Sequence, residues 1–121
     1  MSEFADKVVV VTGAAGNLGQ AVVGRFAGLG ARIALLDLNA QGLDHTISGL
    51  PGQTTAKAFP TNLIEASSVA ETMDAVVAEF GRIDVLANIA GGFTMGPLIQ
   101  DTEDRDWDFM MNLNARSVFN T

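Results

Sequence analysis

Three glycines, Gly13, Gly16 and Gly19, follow Thr12 at a spacing that suits the binding of a diphosphate. In that reading Gly13 permits a sharp turn, Gly16 lets the main chain approach the phosphates, and Gly19 allows the following helix to pack against the preceding strand. Eighteen residues after Gly19 stands Asp37, near the spacing at which a carboxylate accepts hydrogen bonds from the adenosine ribose hydroxyls of a dinucleotide. A 2′-phosphate there would meet like charge, and neither Ala14-Ala15 nor Leu38-Asn39 supplies a Lys or Arg to offset it. The chemistry therefore points to NAD rather than NADP. An ATP-type loop needs Lys and then Ser or Thr after its last glycine, whereas this chain has Gln20-Ala21. The other role open to Asp37 is to cap the next helix, a task Asn39 can also perform.

These residues are useful only if strands and helices bring them together. Val8-Val9-Val10-Val11 is a continuous β-branched run of the kind found in a strand buried on both faces. Residues 32–37 and 83–88 repeat the pattern, and 54–60 is a weaker strand ended by Pro60. Leu18, Val22, Phe26 and Leu29 recur at helical spacing before Gly30, and Val69, Met73, Val76, Val77 and Phe80 do so before Gly81. A less regular helix is expected over 40–48, and a last one over 103–119. Strands and helices in strict alternation with short connections imply a Rossmann-type doubly wound parallel sheet, α/β in class, with strand order 3-2-1-4. The glycines then fall between the first strand and first helix, where free amides at the helix N-terminus face the phosphates.

Composition supports one domain over residues 1–121: 48% of the 121 residues are hydrophobic, which is ample for a core. The net charge of −7 repels phosphate backbones and anionic lipid, so nucleic acid and membrane surfaces are not expected partners. With no cysteine there is neither a disulfide framework nor a thiolate metal site. The N-terminus lacks a basic start followed by an apolar run, and no apolar stretch approaches bilayer length, so a cytoplasmic location is expected.

In the last helix Trp107, Met110, Met111 and Val118 fall on one face and are expected to pack on the sheet. Asn114 lies within that stripe. A buried amide must find partners or cost about 1–3 kcal/mol, so Asn114 is either satisfied by local backbone or kept for a task. Asn112 points the other way. His45, the single histidine, reads as a surface residue, and no metal is expected. The acidic residues from Asp101 to Asp108 suit a helix N-terminus, with Asp101 or Thr102 as its cap.

The segment Thr12-Gly13-Ala14-Ala15-Gly16-Asn17-Leu18-Gly19 resembles the TGxxxGxG-type loop of short-chain dehydrogenases/reductases, with Asn17 in place of one glycine. Asn88-Ile89-Ala90-Gly91 resembles that family's NNAG segment, and Trp107-Asp108 followed by Met111 to Phe119 resembles the helix whose asparagine joins the catalytic tetrad; Ser117 stands where a glycine is usual. The resemblance runs through essentially all 121 residues but covers only the first half of the family's fold.

That resemblance implies cofactor contacts from Gly13, Ala15, Asn17, Leu18 and Gly19 in the loop, and from Asp37 and Leu38 after the second strand. Asn62 and Leu63 follow the third strand, where the family places an acidic residue against the adenine amino group; the amide of Asn62 can serve, or the residue can simply shape a turn. Asn88, Ala90 and Gly91 complete the cofactor set, with Asn88 able to bond neighbouring strand ends. Asn114 is the implied catalytic residue, bending its helix and holding a water that feeds a catalytic lysine. The loop 92–97 would lie beside the substrate.

The expected activity is NAD-dependent hydride transfer between nicotinamide and a small-molecule alcohol or carbonyl compound, with a non-catalytic NAD-binding module or truncated remnant as the alternative. The family's serine and YxxxK pair would fall beyond Thr121, and the chain has no tyrosine, so the 121 residues alone are expected to be inactive. The fourth strand would be an unprotected edge. We therefore expect these residues to belong to a longer chain, or that edge and the Trp107 helix to be covered in a homo-oligomer, a dimer or tetramer.

Overall fold

A computed structural model describes residues 2–121. Strand β1 (Val8–Thr12) is central, and β2 (Arg32–Asp37), β3 (Ala56–Pro60) and β4 (Val85–Asn88) complete a four-stranded sheet in the order β3-β2-β1-β4. All pairings are parallel, as the alternation of elements requires. Helix α1 (Asn17–Gly28) joins β1 to β2, α2 (Ala40–Ser48) joins β2 to β3, and α3 (Ala66–Phe80) joins β3 to β4. After β4 the chain runs through a short 3₁₀ turn, Ile99–Asp101, into α4 (Asp104–Met111), a π-type turn (Asn112–Arg116) and α5 (Ser117–Asn120).

The valine run explains the position of β1. Side chains alternate across a strand, so Val8 and Val10 join Ala34, Leu36, Val69, Val76 and Phe80 on one face, while Val9 and Val11 join Val23, Ile33, Leu35 and Leu43 on the other. All four valines are fully buried, each such burial contributing about 1.5–3 kcal/mol. A strand apolar on both faces is stable only between helical layers, here α3 on one side and α1 with α2 on the other.

The boundaries and faces differ from the sequence reading in five places. The third strand starts at Ala56, because Thr54 is used in a turn whose amide donates to Pro51 O. The fourth starts at Val85, because the Asp84 carboxylate replaces a ladder partner and accepts from Val8 N at 2.9 Å. In α1 Gly19 and Val23 are buried against the sheet with Val22 and Phe26 packed beside them, and Leu18 is exposed; the closeness allowed by Gly19 sets the helix rotation. In α3 the inward face is Val69, Thr72, Val76 and Phe80, leaving Val77 exposed. Neither Asp101 nor Thr102 caps α4, since the 3₁₀ turn occupies Asp101 and Glu103 holds the cap position.

A further correction concerns the last helix. Trp107, Met111 and Val118 do not pack on the sheet; they are 63%, 45% and 46% exposed. A π-type turn interrupts the helix here: Ser117 N donates to Asn112 O, five residues back, which inserts about one residue into the helical period and shifts the face of the residues after it relative to those before. Leu113, Ser117 and Asn120 turn inward instead. Ser117 is buried and its hydroxyl donates to Leu113 O at 2.7 Å, and Asn120 Nδ2 donates to Leu63 O at 2.9 Å. His45 is exposed, as expected.

Candidate functional site

The parallel register brings the carboxyl ends of the strands level: Thr12 pairs with both Leu36 and Asn88, and Asp37 with Pro60. Every loop named from the sequence leaves this one edge. Thr12 ties two of them together, its buried hydroxyl accepting from Ile89 N and Ala90 N, both at 3.1 Å.

The glycine-rich turn is shaped by close main-chain contacts. Gly13 has φ +66°, and a Cβ there would lie 2.7 Å from both Cα and N of Ala90. At Gly19 a Cβ would overlap the carbonyl of Gly13, so α1 can begin this close to β1 only with glycine. Gly16 differs: its nearest neighbour for a Cβ is Gly13 O at 3.4 Å, and the protein itself does not require glycine there. Gly16 occupies the cap position of α1 without a side-chain cap, and the amides of Asn17, Leu18 and Gly19 have no acceptor among the described residues. Three free N–H groups at the positive end of a twelve-residue helix form a place for an anion.

Asp37 ends β2 with both carboxylate oxygens engaged by main chain: Oδ2 accepts from Ala15 N at 3.1 Å and Oδ1 from Asn39 N at 3.0 Å. It does not cap α2. That role falls to Asn39, whose Oδ1 accepts from Gly42 N at 3.0 Å. Each carboxylate oxygen keeps a second lone pair for a ligand hydroxyl.

Two clefts, each of about 230 Å³, meet along Gly13, Asp37, Ala90 and Gly91 to form one trough on this edge. One arm reaches Gly16, Asn17, Leu18 and Gly19. The other is lined by Leu38, Asn62 and Leu63, together with Thr61, Ile64 and Leu113. Asp37 is the only ionisable side chain lining the trough among the described residues. Asn62 also shapes its own turn, its Oδ1 accepting from Ile64 N at 3.3 Å.

Three residues named from the sequence stand behind the trough and do not line it. Ala15 presents its amide to Asp37. Asn88 is held in the β1–β4 ladder, and its Oδ1 accepts from the hydroxyl of Thr121 at 2.9 Å. Asn114 is exposed, which corrects the expectation of a buried amide. It is nevertheless fully bonded: Oδ1 accepts from Gly92 N at 3.0 Å, and Nδ2 donates to Gly92 O and Met110 O, both at 2.9 Å. This grip explains two glycines: a Cβ on Gly91 would lie 2.7 Å from Asn114 Oδ1, and one on Gly92 would collide with Leu113. A smaller hollow of about 200 Å³ lies between the loop residues Thr94 and Pro97 and α4 at Trp107 and Met110.

Sequence reasoning missed Thr61, Ile64, Ile89 and Leu113 as lining residues and Thr12 as the link between loops. Thr61 was detectable only as a polar residue at a strand end; it is buried and its hydroxyl shares a hydrogen bond of 2.9 Å with Thr72. Leu113 carries no signal: it stands within the π-type turn, which a regular helical period does not anticipate.

A family model described as short chain dehydrogenase matches residues 7–121. D-threitol dehydrogenase of Mycolicibacterium smegmatis is 41% identical over 114 residues, which cover 93% of this chain and 44% of that protein. A 3-oxoacyl-[acyl-carrier-protein] reductase of Thermotoga maritima is 36% identical over 117 residues, 94% of this chain and 46% of that protein. Among solved structures, NAD⁺-bound xylitol dehydrogenase superposes with a TM-score of 0.94 at 33% identity, covering 98% of this chain and 46% of that one. The chain thus spans about half the length of the relatives it matches.

Proposed function

This chain belongs to the short chain dehydrogenase family of oxidoreductases, and from that premise we propose that residues 1–121 are the dinucleotide-binding domain of an NAD-dependent enzyme acting on a small-molecule alcohol or carbonyl compound. The observation that carries the reading is Asp37: among the described residues it is the sole ionisable side chain in a trough whose far arm ends in the free amides of Asn17, Leu18 and Gly19. One arm offers donors for a diphosphate and the other offers an acceptor for ribose hydroxyls, which is the complement of a dinucleotide.

The residues fit that group. The amides of Asn17, Leu18 and Gly19 would hold the diphosphate beside the cradle made by Gly13. Asp37 would accept from the adenosine ribose hydroxyls, and Leu38, Asn62 and Leu63 would flank the adenine. Ala90 and Gly91 would pass close to the nicotinamide side, with Asn88 holding the strand end behind them. When bound, the nicotinamide supplies a hydride acceptor or donor. Ala15 keeps the Asp37 carboxylate oriented, and Asn114 holds the Gly92 main chain at the border between cofactor trough and substrate loop. In the family Asn114 corresponds to the tetrad asparagine, and we assign it to the catalytic machinery.

The preference for NAD follows from charge. A 2′-phosphate beside Asp37 would meet a carboxylate with no lysine or arginine among the described residues lining the trough to balance it. Binding of NAD and NADP to the protein and to Asp37→Ala tests this directly. The wild type should prefer NAD, and the variant should lose most of that preference; an Asp37→Ala protein with undiminished discrimination would sink the proposal. No helix among the described residues is long and apolar enough to cross a membrane. We place the enzyme in the cytoplasm and expect a homo-oligomer, because Trp107, Met111, Val118 and Phe119 leave an apolar helix face open.

A further inference from the structure

Helix α2 touches the glycine-rich loop at two places, and neither contact is needed to hold the helix itself together. Thr46 is a polar residue on the buried face of α2, only 5% exposed. A threonine in a helix commonly returns its hydroxyl proton to the carbonyl four residues back, here Gly42 O at 3.1 Å. The closer acceptor is Ala14 O at 2.9 Å, on the loop thirty-two residues upstream. A hydroxyl has one proton to give. Gly42 O lies within the helix, where the backbone ladder serves it. Ala14 is wholly buried, and Thr46 is the only donor to its carbonyl among the described residues. The proton therefore belongs on Ala14 O, which would otherwise be a buried acceptor without a partner.

The second contact is at Gly42, where a Cβ would lie 2.7 Å from Ala15 Cβ and 2.8 Å from Asn39 Nδ2. Helix α2 thus fixes Ala14 by a hydrogen bond and Ala15 by close packing. Ala15 is the residue whose amide donates to Asp37 Oδ2, and Asn39, the cap of the same helix, donates its amide to Asp37 Oδ1. Both oxygens of the carboxylate are aimed by groups that α2 positions. Charge-assisted hydrogen bonds to a sugar hydroxyl depend on that aim, and a carboxylate free to swing away would no longer repel a phosphate.

We propose that Thr46, with the room made by Gly42, is a positioning residue that aims Asp37 at the adenosine ribose and so sets the preference for a free 2′-hydroxyl over a 2′-phosphate. This rests on the reading of Asp37 given above. Calorimetric titration with NAD and with NADP gives the ratio of the two dissociation constants for the wild type, Thr46→Val, Thr46→Ser and Asp37→Ala. Hydrogen exchange by NMR reports on the Ala15 amide in the absence of nucleotide.

Thr46→Val should narrow the NAD to NADP ratio by about tenfold, the scale of one hydrogen bond to a charged group. It should also speed exchange at Ala15, while Thr46→Ser keeps both properties. If both affinities fall together in Thr46→Val and the ratio stays unchanged, Thr46 is a packing residue and the proposal is overturned. An unchanged ratio in Asp37→Ala would instead overturn the reading of Asp37. If Thr46→Val does not fold, Gly42→Ala asks the same question by pushing Ala15 aside: a narrowed ratio supports the proposal, and a folded variant with wild-type ratio and wild-type Ala15 exchange overturns it.

Discussion

The carboxamide of Asn114 holds the main chain of Gly92 in both directions, accepting from its amide at 3.0 Å and donating to its carbonyl at 2.9 Å. A two-way grip of this kind fixes where the loop leaves β4, and a carboxamide, with its acceptor oxygen and donor nitrogen side by side, suits it. Because Asn114 is exposed, water can replace its bonds when it is removed. Asn114→Ala should therefore cost only about 0.5–1.5 kcal/mol of stability, yet, made in a longer chain that carries the family's serine and YxxxK pair, lower kcat by about a hundredfold, the scale of a damaged proton-transfer step, with NAD affinity nearly unchanged. Denaturant titration and steady-state kinetics check the contrast, and equal losses in binding and turnover would contradict it.

Gly19 and Gly16 should respond oppositely to a methyl group. The Cβ of Gly19→Ala has no space beside the Gly13 carbonyl, so α1 must shift, at about 1–3 kcal/mol and with loss of nucleotide binding. Gly16→Ala meets nothing closer than 3.4 Å and should fold normally. Thermal unfolding of the two variants, followed by NAD titration, distinguishes them.

Thr12 serves two amides with one hydroxyl oxygen. Thr12→Val leaves Ile89 N and Ala90 N without that acceptor and should destabilise the protein by about 1–3 kcal/mol, whereas Thr12→Ser should recover most of the difference. A valine variant as stable as the serine variant would show that the hydroxyl is dispensable.

Asp84 makes the amino end of the sheet sensitive to acid. The Val8 amide, and then the Arg82 side chain, hold its carboxyl below the ordinary value of 3.8. A folded-state pKa below the unfolded one means that the stabilisation is complete above about pH 4 and is lost as pH falls through the lower folded value. Asp84→Asn should remove this part of the acid limb: stability measured from pH 6 down to about pH 2.5 should fall less steeply in the variant. An identical slope would exclude Asp84 as a contributor.

The order of elements and the main features of the site were legible because each rests on local chemistry. A run of valines wet on neither face specifies a central parallel strand, three glycines at a strand end specify a tight turn onto a helix, and Asp37 follows from its place at the end of the next strand. Periodicity failed where distant parts of the chain decide. Regular periodicity places Trp107 and Asn114 on one continuous helical face, but the π-type turn breaks that period, and Leu113, Ser117 and Asn120 face inward.

By itself the sequence determined the parallel sheet, the glycine-rich loop and the place of Asp37 at the end of β2, since these depend on side-chain type and on spacing within a few turns. Tertiary structure alone decided that Thr46 serves Ala14, that Asn114 grips Gly92, and that Asn39 rather than Asp37 caps α2. Those choices depend on which donor reaches which acceptor after packing, and spacing along a chain does not encode a distance between loops that meet only across the sheet edge.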